Sequence, residues 1–524
     1  MQGKTGEVTR GRRRRLRLLA ALLALAAVGL AVTTALFAGD GSNHTELGPG
    51  PTRDSGPFKP NLIVVMTDDQ TVRSFSPDVM PETLAYFERD GAIFDQAIAA
   101  PPLCCPSRAG FLTGRYAHNT GVLKNKAGYG SLRAKRQTFP VALEQAGYRT
   151  GMFGKFLNGY KRAAGRKPAP GFTRWVANHG PADYFDFKVS NDGDVKEIDE
   201  YSTAFFTRKA IEFARNARHG EPFFLWLSYN APHTAVSRYP TPCKGAAAQP
   251  SNPAVLERFA DTSLPHPPSF NERDVSDKPS LAMRPGRLTP REIRQLTLHW
   301  RCSLAAMRDV DRQLARVLDS LRESGELSRT VVVYLSDNGY YYGEHRLHSD
   351  KRLPLEPALR VPLAIGVGDK VGPRPPPRVS ELVSQVDLAP TLLDYGGVDP
   401  CDGTKRCRPP DGRSLRGLLE ASAGGWPGDR AIPLQLADGW TYKAMRTPHE
   451  LYMEITEARG HGFAPPEIEA YDLETDPHQL HNLAASTDPA IEQRLHELAA
   501  RFEPLHGCRG TDGRDTSRGS AACE

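Results

Sequence analysis

Three runs of apolar residues, each followed directly by a polar turn, constrain the fold of this chain more than any other feature. They occupy positions 61–66, 222–227 and 330–335. Short runs that are apolar without alternation are typical of strands buried on both faces, as in parallel or mixed sheets. We therefore expect an α/β fold in which helices cover both faces of a central sheet.

A helix predicted before the third run supports this architecture. Thr289 can cap it, Pro290 suits the first helical position and Glu292 completes a capping box. Apolar residues then recur at helical spacing until Gly325, which is typical of a helix end. The alternation of helix and buried strand favours a central mixed, mostly parallel sheet sandwiched by helices.

Carboxylate and amide side chains follow two of the apolar runs. The first run is followed by Asp68 and Asp69, and the third by Asp337 and Asn338. Ligands bind beyond the carboxyl ends of strands in such sheets. Ca²⁺ prefers oxygen ligands, and a set without His or Cys disfavours zinc. Either pair alone could be a turn or a helix cap, but their shared position at buried strand ends favours a metal site.

A dense motif lies at 103–114, with the sequence Leu-Cys-Cys-Pro-Ser-Arg-Ala-Gly-Phe-Leu-Thr-Gly. It supplies a side chain that can act as a nucleophile, a rigid turn and the cation of Arg108. A helix that begins here would present its N-terminus to an anion. On residues alone the motif is a candidate site for attack on an anionic ester, although a pair of cysteines is more often a disulfide partner or a buried thiol.

The motif resembles the signature of type I sulfatases, Cys-x-Pro-Ser-Arg-x4-Thr-Gly, and matches it at every fixed position. The resemblance implies an alkaline-phosphatase-like fold. It also implies that formylglycine-generating enzyme converts Cys104 to Cα-formylglycine (3-oxoalanine), while Cys105 fills a variable position. The implied site for Ca²⁺, with Mg²⁺ as an alternative, consists of the modified Cys104, Asp68, Asp69, Asp337 and Asn338.

A second match to the family lies at 154–160, Gly-Lys-Phe-Leu-Asn-Gly-Tyr. This stretch resembles the sulfate-binding segment of the family, which implies that Lys155 contacts sulfate. Many members have a histidine two residues after this lysine, where this chain has Leu157. Asn158 is implied to supply the substrate contact instead, as in the N-acetylglucosamine-6-sulfatase-like branch.

The resemblance also implies catalytic roles. His233 matches the Pro-His of the family, and Lys351 matches a lysine downstream of Asp-Asn-Gly. Arg108, Lys155 and Lys351 would stabilise the charge that grows on the sulfate oxygens. His233 or Lys351 would protonate the leaving alcohol, after one hydroxyl of the hydrated formylglycine attacks sulfur. His345 is a further candidate substrate contact.

Together these matches indicate an exported sulfuric ester hydrolase that acts on a sulfated sugar, such as N-acetylglucosamine 6-sulfate, or on an aryl sulfate. A phosphonate or phosphate ester hydrolase of the same superfamily is an alternative, which Asn338 and the two lysines disfavour. An inactive, glycan-binding homologue is a third hypothesis. It is disfavoured because every expected catalytic residue type is present except at the position of Leu157.

Residues 1–38 are predicted to be a targeting segment. An arginine-rich stretch precedes an uncharged apolar run at 18–38. This run is long enough to span a bilayer, which takes about 20 residues, so a cleaved signal peptide and a membrane anchor both stay open. Either implies export, with the protein secreted or held at the outer face of the membrane. The segment carries seven basic residues and one acidic residue, so the chain's net charge of +6 lies within it. The balanced remainder indicates no surface for nucleic acid.

Export makes disulfides plausible, and six cysteines lie outside the signature pair. Sequence alone leaves 15 pairings open, and zinc binding is an alternative that no Cys-x-x-Cys spacing supports. The pairing that we expect is Cys401–Cys407, Cys508–Cys523 and, by elimination, Cys243–Cys302.

Changes in composition divide the rest of the chain. We expect a linker at 39–59, a catalytic domain at 60–400, a smaller C-terminal α+β domain at 401–504 and a polar tail at 505–524.

The predicted smaller domain has its own signals. The segment 471–477, Tyr-Asp-Leu-Glu-Thr-Asp-Pro, with Asn-Leu at 482–483, resembles a stretch near sulfatase C-termini. Strands are predicted at 442–445 and 450–454, and a helix at 489–502.

Overall fold

The three apolar runs form three neighbouring strands at the centre of one ten-stranded sheet. Strand β1 (Asn61–Thr67) lies between β7 (Phe223–Ser228) and β8 (Thr330–Ser336) and is parallel to both. Leu62 lies opposite Phe224 on one side and Val331 on the other. Every residue of the three strands is buried, which confirms the prediction of strands covered on both faces.

The computed structural model describes residues 58–523, apart from 182, 219, 237–241, 244–246, 279–285, 403–406, 423–425, 459 and 511–520. The predicted targeting segment at 1–38 and nearly all of the predicted linker at 39–59 lie outside the described residues. Among the residues that are described, no helix is both long and apolar enough to cross a bilayer.

The large sheet is mixed and mostly parallel, as predicted. Its strands lie in the order β10-β2-β9-β8-β1-β7-β3-β4-β5-β6. The pairs on either side of β9 and the pairs that include β5 are antiparallel, and the other pairs are parallel. Because β1, β3, β7 and β8 all run in one direction, their carboxyl ends meet at one edge of the sheet. The remaining strands of this sheet are β2 (Gly91–Ile98), β3 (Arg149–Gly154), β4 (Arg174–Asn178), β5 (Phe187–Asn191), β6 (Asp194–Ile198), β9 (Leu363–Val367) and β10 (Arg378–Ser384).

Helices cover both faces of this sheet. The helices of the described residues are α1 (Pro81–Asp90), α2 (Cys104–Thr113), α3 (Ala117–Thr120), α4 (Phe139–Gln145), α5 (Tyr160–Ala164), α6 (Ser202–Arg215), α7 (Pro253–Glu257), α8 (Pro290–Glu323), α9 (Glu356–Leu359), α10 (Leu388–Tyr395), α11 (Arg416–Leu419) and α12 (Pro489–Phe502). Ile63 and Val65 face a core built with α1, α6 and α8, whereas Leu62 and Val64 face a core built with α2, α4, α10 and α11. Short 3-10 turns lie at Val72–Ser74, Gly128–Ser131, Leu327–Arg329, Gln385–Asp387, Leu483–Ala485 and Glu503–Gly507.

Helix α8, the longest among the described residues, begins and ends where the sequence predicts. The backbone N–H of Glu292 donates to the hydroxyl of Thr289 at 3.3 Å, and the Glu292 carboxylate accepts the Thr289 N–H at 2.7 Å. Gly325 follows the helix with a φ of 73°, a left-handed conformation that costs glycine little. The capping box is therefore confirmed.

A smaller antiparallel sheet follows in the C-terminal part of the chain. Its strands β11 (Ile432–Ala437), β12 (Trp440–Arg446), β13 (Glu450–Ala458) and β14 (His461–Asp472) pair in sequence order. The predicted strands at 442–445 and 450–454 lie within β12 and β13, and the predicted helix is α12. One face of the sheet packs against α12, through Tyr452 and Phe502 among others. The C-terminal α+β arrangement is thus confirmed, while the boundary at 400–401 stays a prediction.

The expected disulfide pairing is present. The remaining two cysteines of the chain, Cys104 and Cys105, are buried and unbonded. The three disulfides are Cys243–Cys302, Cys401–Cys407 and Cys508–Cys523.

Candidate active site

Helix α2 begins at Cys104, so that the two adjacent cysteines point to different surroundings. All ten residues of this helix are buried. The Cys104 sulfur lies 3.6 Å from Oδ1 of Asp68, which follows β1. The Cys105 sulfur instead accepts the backbone N–H of Asn158 at 2.9 Å. Cys104 therefore faces the polar strand ends, and Cys105 packs in the core behind them.

The side chains predicted as metal ligands meet at this point. A carboxylate oxygen from each of Asp68, Asp69 and Asp337 and the sulfur of Cys104 all lie within 4.8 Å of one another. Asp69 has a φ of 70°, and its backbone N–H donates to Oδ1 of Asp337 at 3.2 Å. All four side chains are buried. A concentration of buried carboxylates without solvent is costly unless cations compensate it.

Asn338 completes the donor set. Its amide nitrogen donates to Asp69 at 2.7 Å and to the carbonyl of Gly339 at 2.8 Å. Its amide oxygen is buried and accepts no hydrogen bond from the described residues. A buried acceptor beside three carboxylates fits a hard divalent cation, which takes oxygen ligands. The donor set is therefore suited to Ca²⁺ or Mg²⁺.

Arg108 donates hydrogen bonds to residues at the ends of three strands. Its guanidinium donates at 2.7 Å to each of the Asp337 carboxylate, the carbonyl of Lys155 and the hydroxyl of Ser228. The residue is fully buried, and its remaining terminal nitrogen lies 3.8 Å from the Asp68 carboxylate. Burial lowers the pKa of Arg108, but the carboxylates of Asp337 and Asp68 raise it more, so the pKa lies above its ordinary value. The guanidinium is a fixed positive charge inside the site.

Two lysines flank the carboxylates. Lys155 follows β3 and forms an ion pair with Asp68, and Lys351 forms one with Asp69. Burial would lower the pKa of both lysines, but the adjacent carboxylates outweigh it and raise the pKa above the ordinary value. Both ammonium groups are therefore protonated at neutral pH.

His233 lies at the rim of the carboxylate cluster with about a quarter of its side chain exposed, at 24%. Its Nδ1 lies 2.7 Å from the carbonyl of Thr234. Because a carbonyl only accepts, Nδ1 carries the proton, and Nε2 lies 3.9 Å from the Asp69 carboxylate. Burial lowers the pKa of His233 below its ordinary value, despite the carboxylates. The neutral ring thus presents Nε2 to the site.

The Cys104 thiol is a weak nucleophile in this environment. Burial raises its pKa to about 12, and the two lysines offset only part of this effect. The thiolate, which is the reactive form of cysteine, is therefore scarce at neutral pH.

Two predicted substrate contacts lie outside this cluster. Asn158 is exposed and uses its backbone to contact Cys105 and Tyr129. His345 is buried, and its Nδ1 lies 2.7 Å from the carboxylate of Glu272. The roles of Asn158 and His345 stay predictions. Leu157, at the position where many family members have a histidine, is buried in the apolar core.

Some residues near the site could not be predicted from the sequence. The carboxamide oxygen of Asn125 accepts the N–H of Cys105 at 2.9 Å and so fixes the first turn of α2. His299, on α8, packs edge-on at 5.5 Å from both Tyr340 and Tyr342. Burial lowers the pKa of His299 to about 4, while the charge of Asp69 partly opposes the shift. Helical periodicity marks the buried face of α8 but does not indicate which polar residue reaches the site.

The fold and this cluster define a class of protein. A mixed sheet between helices, here with acidic metal-ligand candidates at its carboxyl edge, is an alkaline-phosphatase-like fold. Within that class, residues 60–398 match the family model described as Sulfatase. The chain belongs to the sulfatase family and is a sulfuric ester hydrolase.

Curated relatives agree with this assignment. An arylsulfatase of Chlamydomonas reinhardtii is 31% identical over 86% of this chain and 75% of its own length. An N-acetylglucosamine-6-sulfatase of Capra hircus is 29% identical over 87% of this chain and 85% of its own length. An extracellular sulfatase SULF-1 homolog of Drosophila melanogaster is 32% identical over 70% of this chain, which spans only 32% of that relative.

A solved structure has the same fold. It is a protein in complex with its substrate D-glucosamine-2-N,6-O-disulfate, 24% identical to this chain with a TM-score of 0.67. The match covers 85% of this chain and 97% of the other.

Proposed function

We propose that this protein is an exported sulfatase that removes sulfate from a sulfated sugar, with formylglycine at position 104 and a bound divalent cation. The observation that carries the proposal is the meeting of Cys104 with Asp68, Asp69 and Asp337 within 4.8 Å. Membership of the sulfatase family supports hydrolysis of a sulfate ester as the reaction.

The modification and the metal would supply the chemistry that the encoded side chains lack. Formylglycine supplies a hydrated aldehyde as nucleophile, which accounts for a cysteine at a position where burial keeps the thiol protonated. A cation held by Asp68, Asp69, Asp337 and Asn338 supplies positive charge for the sulfate oxygens.

The basic side chains hold the sulfate group. Lys155 and Lys351 approach the carboxylates from two different loops, so that both ammonium groups lie beside position 104. The guanidinium of Arg108 is held in one position by three hydrogen bonds. As the S–O bond lengthens, these charges stabilise the growing negative charge without moving, which is the usual source of large rate enhancements.

His233 is the residue best placed to protonate the leaving alcohol. Its Nδ1 proton is held by the carbonyl of Thr234, so Nε2 is the nitrogen that faces the site. The ring must first take up a proton at Nε2, which the attacking hydroxyl of the hydrated formylglycine would release, and because the pKa of His233 is lowered, the resulting imidazolium gives this proton readily to the leaving oxygen. Lys351 is a poorer acid, because its raised pKa favours retention of the proton.

The relatives support a sulfated sugar as substrate. The C. reinhardtii relative is named an arylsulfatase, the C. hircus relative an N-acetylglucosamine-6-sulfatase. The match to the latter extends over most of both chains. We propose a sugar 6-sulfate as the preferred substrate and an aryl sulfate as a usable one. The arginine-rich and apolar segment at 1–38 supports export.

Mass spectrometry of the peptide that contains positions 104 and 105 tests the modification. Oxidation of the Cys104 thiol to the aldehyde should lower its mass by about 18 Da, because cysteine oxidation is selective for site. Cys104→Ala should abolish turnover, whereas Cys105→Ala, the matched control, should retain most of it. The mass change at Cys105 instead, with the reverse pattern of activity, would contradict the assignment.

Parallel assays test the reaction class. N-acetylglucosamine 6-sulfate, an aryl sulfate and an aryl phosphonate should be compared as substrates of the same preparation. We expect the two sulfate esters to be turned over faster than the phosphonate. A faster phosphonate reaction would favour the ester hydrolase alternative, and no turnover of any ester by modified enzyme would favour an inactive homologue.

A further inference from the structure

A cavity lined mostly by arginine lies at the end of α2 that is remote from Cys104. It has a volume of about 270 Å³, and Arg115, Arg133, Arg408 and Arg509 all line it. Arg115 comes two residues after the end of the helix, and a ten-residue helix spans about 15 Å. None of these arginines contributes to the site around Cys104, so the cavity is a separate feature.

Among the described residues that line the cavity, Asp411 is the one carboxylate, and it already accepts hydrogen bonds. One of its oxygens accepts N–H groups of Tyr116 at 2.9 Å and Asn119 at 2.8 Å, and the other accepts the N–H of Gly510 at 2.9 Å. Burial raises the pKa of Asp411 above its ordinary value, although these hydrogen bonds oppose the shift. The carboxyl group therefore holds the loops around the cavity together, and the four arginines of the lining outnumber it.

The arginines differ in how they are held. Arg115 is buried, and its guanidinium donates to the carbonyl of Pro409 at 3.1 Å, so it forms a fixed wall. Arg133 is exposed and donates to the carbonyl of His118 at 3.3 Å. Within the described part of the chain, neither Arg133, Arg408 nor Arg509 has a carboxylate within ion-pair distance. Among the residues that the structure describes, no ion pair therefore neutralises these three guanidinium charges.

The basic lining extends into a second cavity. This cavity, of about 190 Å³, shares Arg115 and Arg408 with the first and adds Arg136. The two cavities therefore adjoin each other across the shared arginines. A single small anion would occupy one of them, whereas an extended polymer with repeated anionic groups would contact both.

We infer that the two cavities form a binding site for a sulfated polysaccharide, separate from the site of sulfate hydrolysis. Guanidinium groups match the oxygen geometry of sulfate and bind it through paired hydrogen bonds. The choice of a sulfated glycan as the polymer rests on the proposed function, because the substrate proposed there carries the same groups. The arginine site would hold one part of a long chain while another part is presented to Cys104.

Heparin, a sulfated polysaccharide, is the probe for this site. Its affinity for the full chain should be measured over a series of salt concentrations, for the wild type and for the double variant Arg133→Ser/Arg408→Ser. We expect the variant to bind about tenfold more weakly and the slope of log affinity against log salt to fall by about two, one for each lost cation. The basic residues before the apolar run at 18–38 are common to all variants, so differences between variants report the cavities.

Matched variants and competitors decide the outcome. Arg258→Ser/Arg316→Ser removes two exposed arginines elsewhere and should bind heparin as the wild type does. Turnover of a small aryl sulfate should be unchanged in both double variants, since none of these residues touches the site around Cys104. Unchanged heparin affinity in Arg133→Ser/Arg408→Ser, or an equal loss in the control, would overturn the inference. If DNA displaced bound heparin as strongly as free heparin does, the site would not be selective for sulfate groups, and the inference of a sulfated polysaccharide as ligand would be overturned. Heparin binding is measured without catalysis, so this result is independent of whether the proposed function holds.

Discussion

Replacing Lys351 by methionine removes one positive charge from the site and keeps a side chain of similar length. The Lys351 side chain is 11% exposed and pairs with Asp69, beside Cys104 and Asp337. Unit charges about 4 Å apart interact by about 4 kcal/mol at the effective dielectric of such a site. Loss of one preorganised charge contact typically costs about 2.7–4 kcal/mol of transition-state stabilisation. We therefore expect kcat to fall about 100- to 1,000-fold.

The proposed role also predicts which kinetic constant changes. The charge on the sulfate oxygens grows in the transition state, so the loss should act on kcat with little effect on KM. Initial rates with an aryl sulfate should be measured for Lys351→Met, Lys155→Met and the control Lys370→Met, which alters an exposed lysine. Circular dichroism should show that all three variants are folded. Wild-type kcat in both site variants, or a rise in KM alone, would refute the assignment of these lysines to sulfate.

Two further predictions concern the metal and the stability of the fold. A chelator should abolish turnover, and Ca²⁺ or Mg²⁺ should restore it. Ca²⁺ should also raise the unfolding temperature of the wild type but not that of Asp337→Ala. An equal rise in both proteins would contradict the assignment of Asp337 as a metal ligand. Arg430 and Asp387 form a buried pair with two contacts of 2.7 Å, so Arg430→Met should lower the free energy of unfolding by about 3–5 kcal/mol. The exposed pair of Arg322 and Asp319 provides the control, since Arg322→Met should cost about 0–1 kcal/mol in the same urea titration.

The core of the fold is readable from the sequence because its signals are local. A continuous apolar run identifies a doubly buried strand wherever it lies, and the signals around Thr289 and Gly325 mark the ends of α8. The order of strands is not local. Strand β9 inserts antiparallel between β2 and β8, and β10 pairs with β2 at the far edge. No residue pattern in these strands identifies the partner, because pairing depends on how distant segments pack.

The same distinction applies to the candidate site. That Asp68 and Asp337 would meet follows from two strand ends in one parallel sheet, and the structure brings them together. The expectation that Cys104 and not Cys105 is modified comes from the match to the signature, because residue type alone does not distinguish two adjacent cysteines. The three-way hydrogen bonding of Arg108 involves the carbonyl of Lys155, a backbone atom that no sequence motif encodes.

The small C-terminal sheet has a part in the geometry of the site. Asp438 lies in the turn between β11 and β12, and its carboxylate accepts the N–H of Asn125 at 2.7 Å. Asn125 in turn holds the first turn of α2 through Cys105. The same carboxylate lies 3.6 Å from the guanidinium of Arg352, the residue after Lys351. One side chain of the small sheet thus fixes both the helix that starts at Cys104 and the loop that carries Lys351. These two segments are distant in sequence, so contacts with a third segment, the turn between β11 and β12, help to fix their relative position.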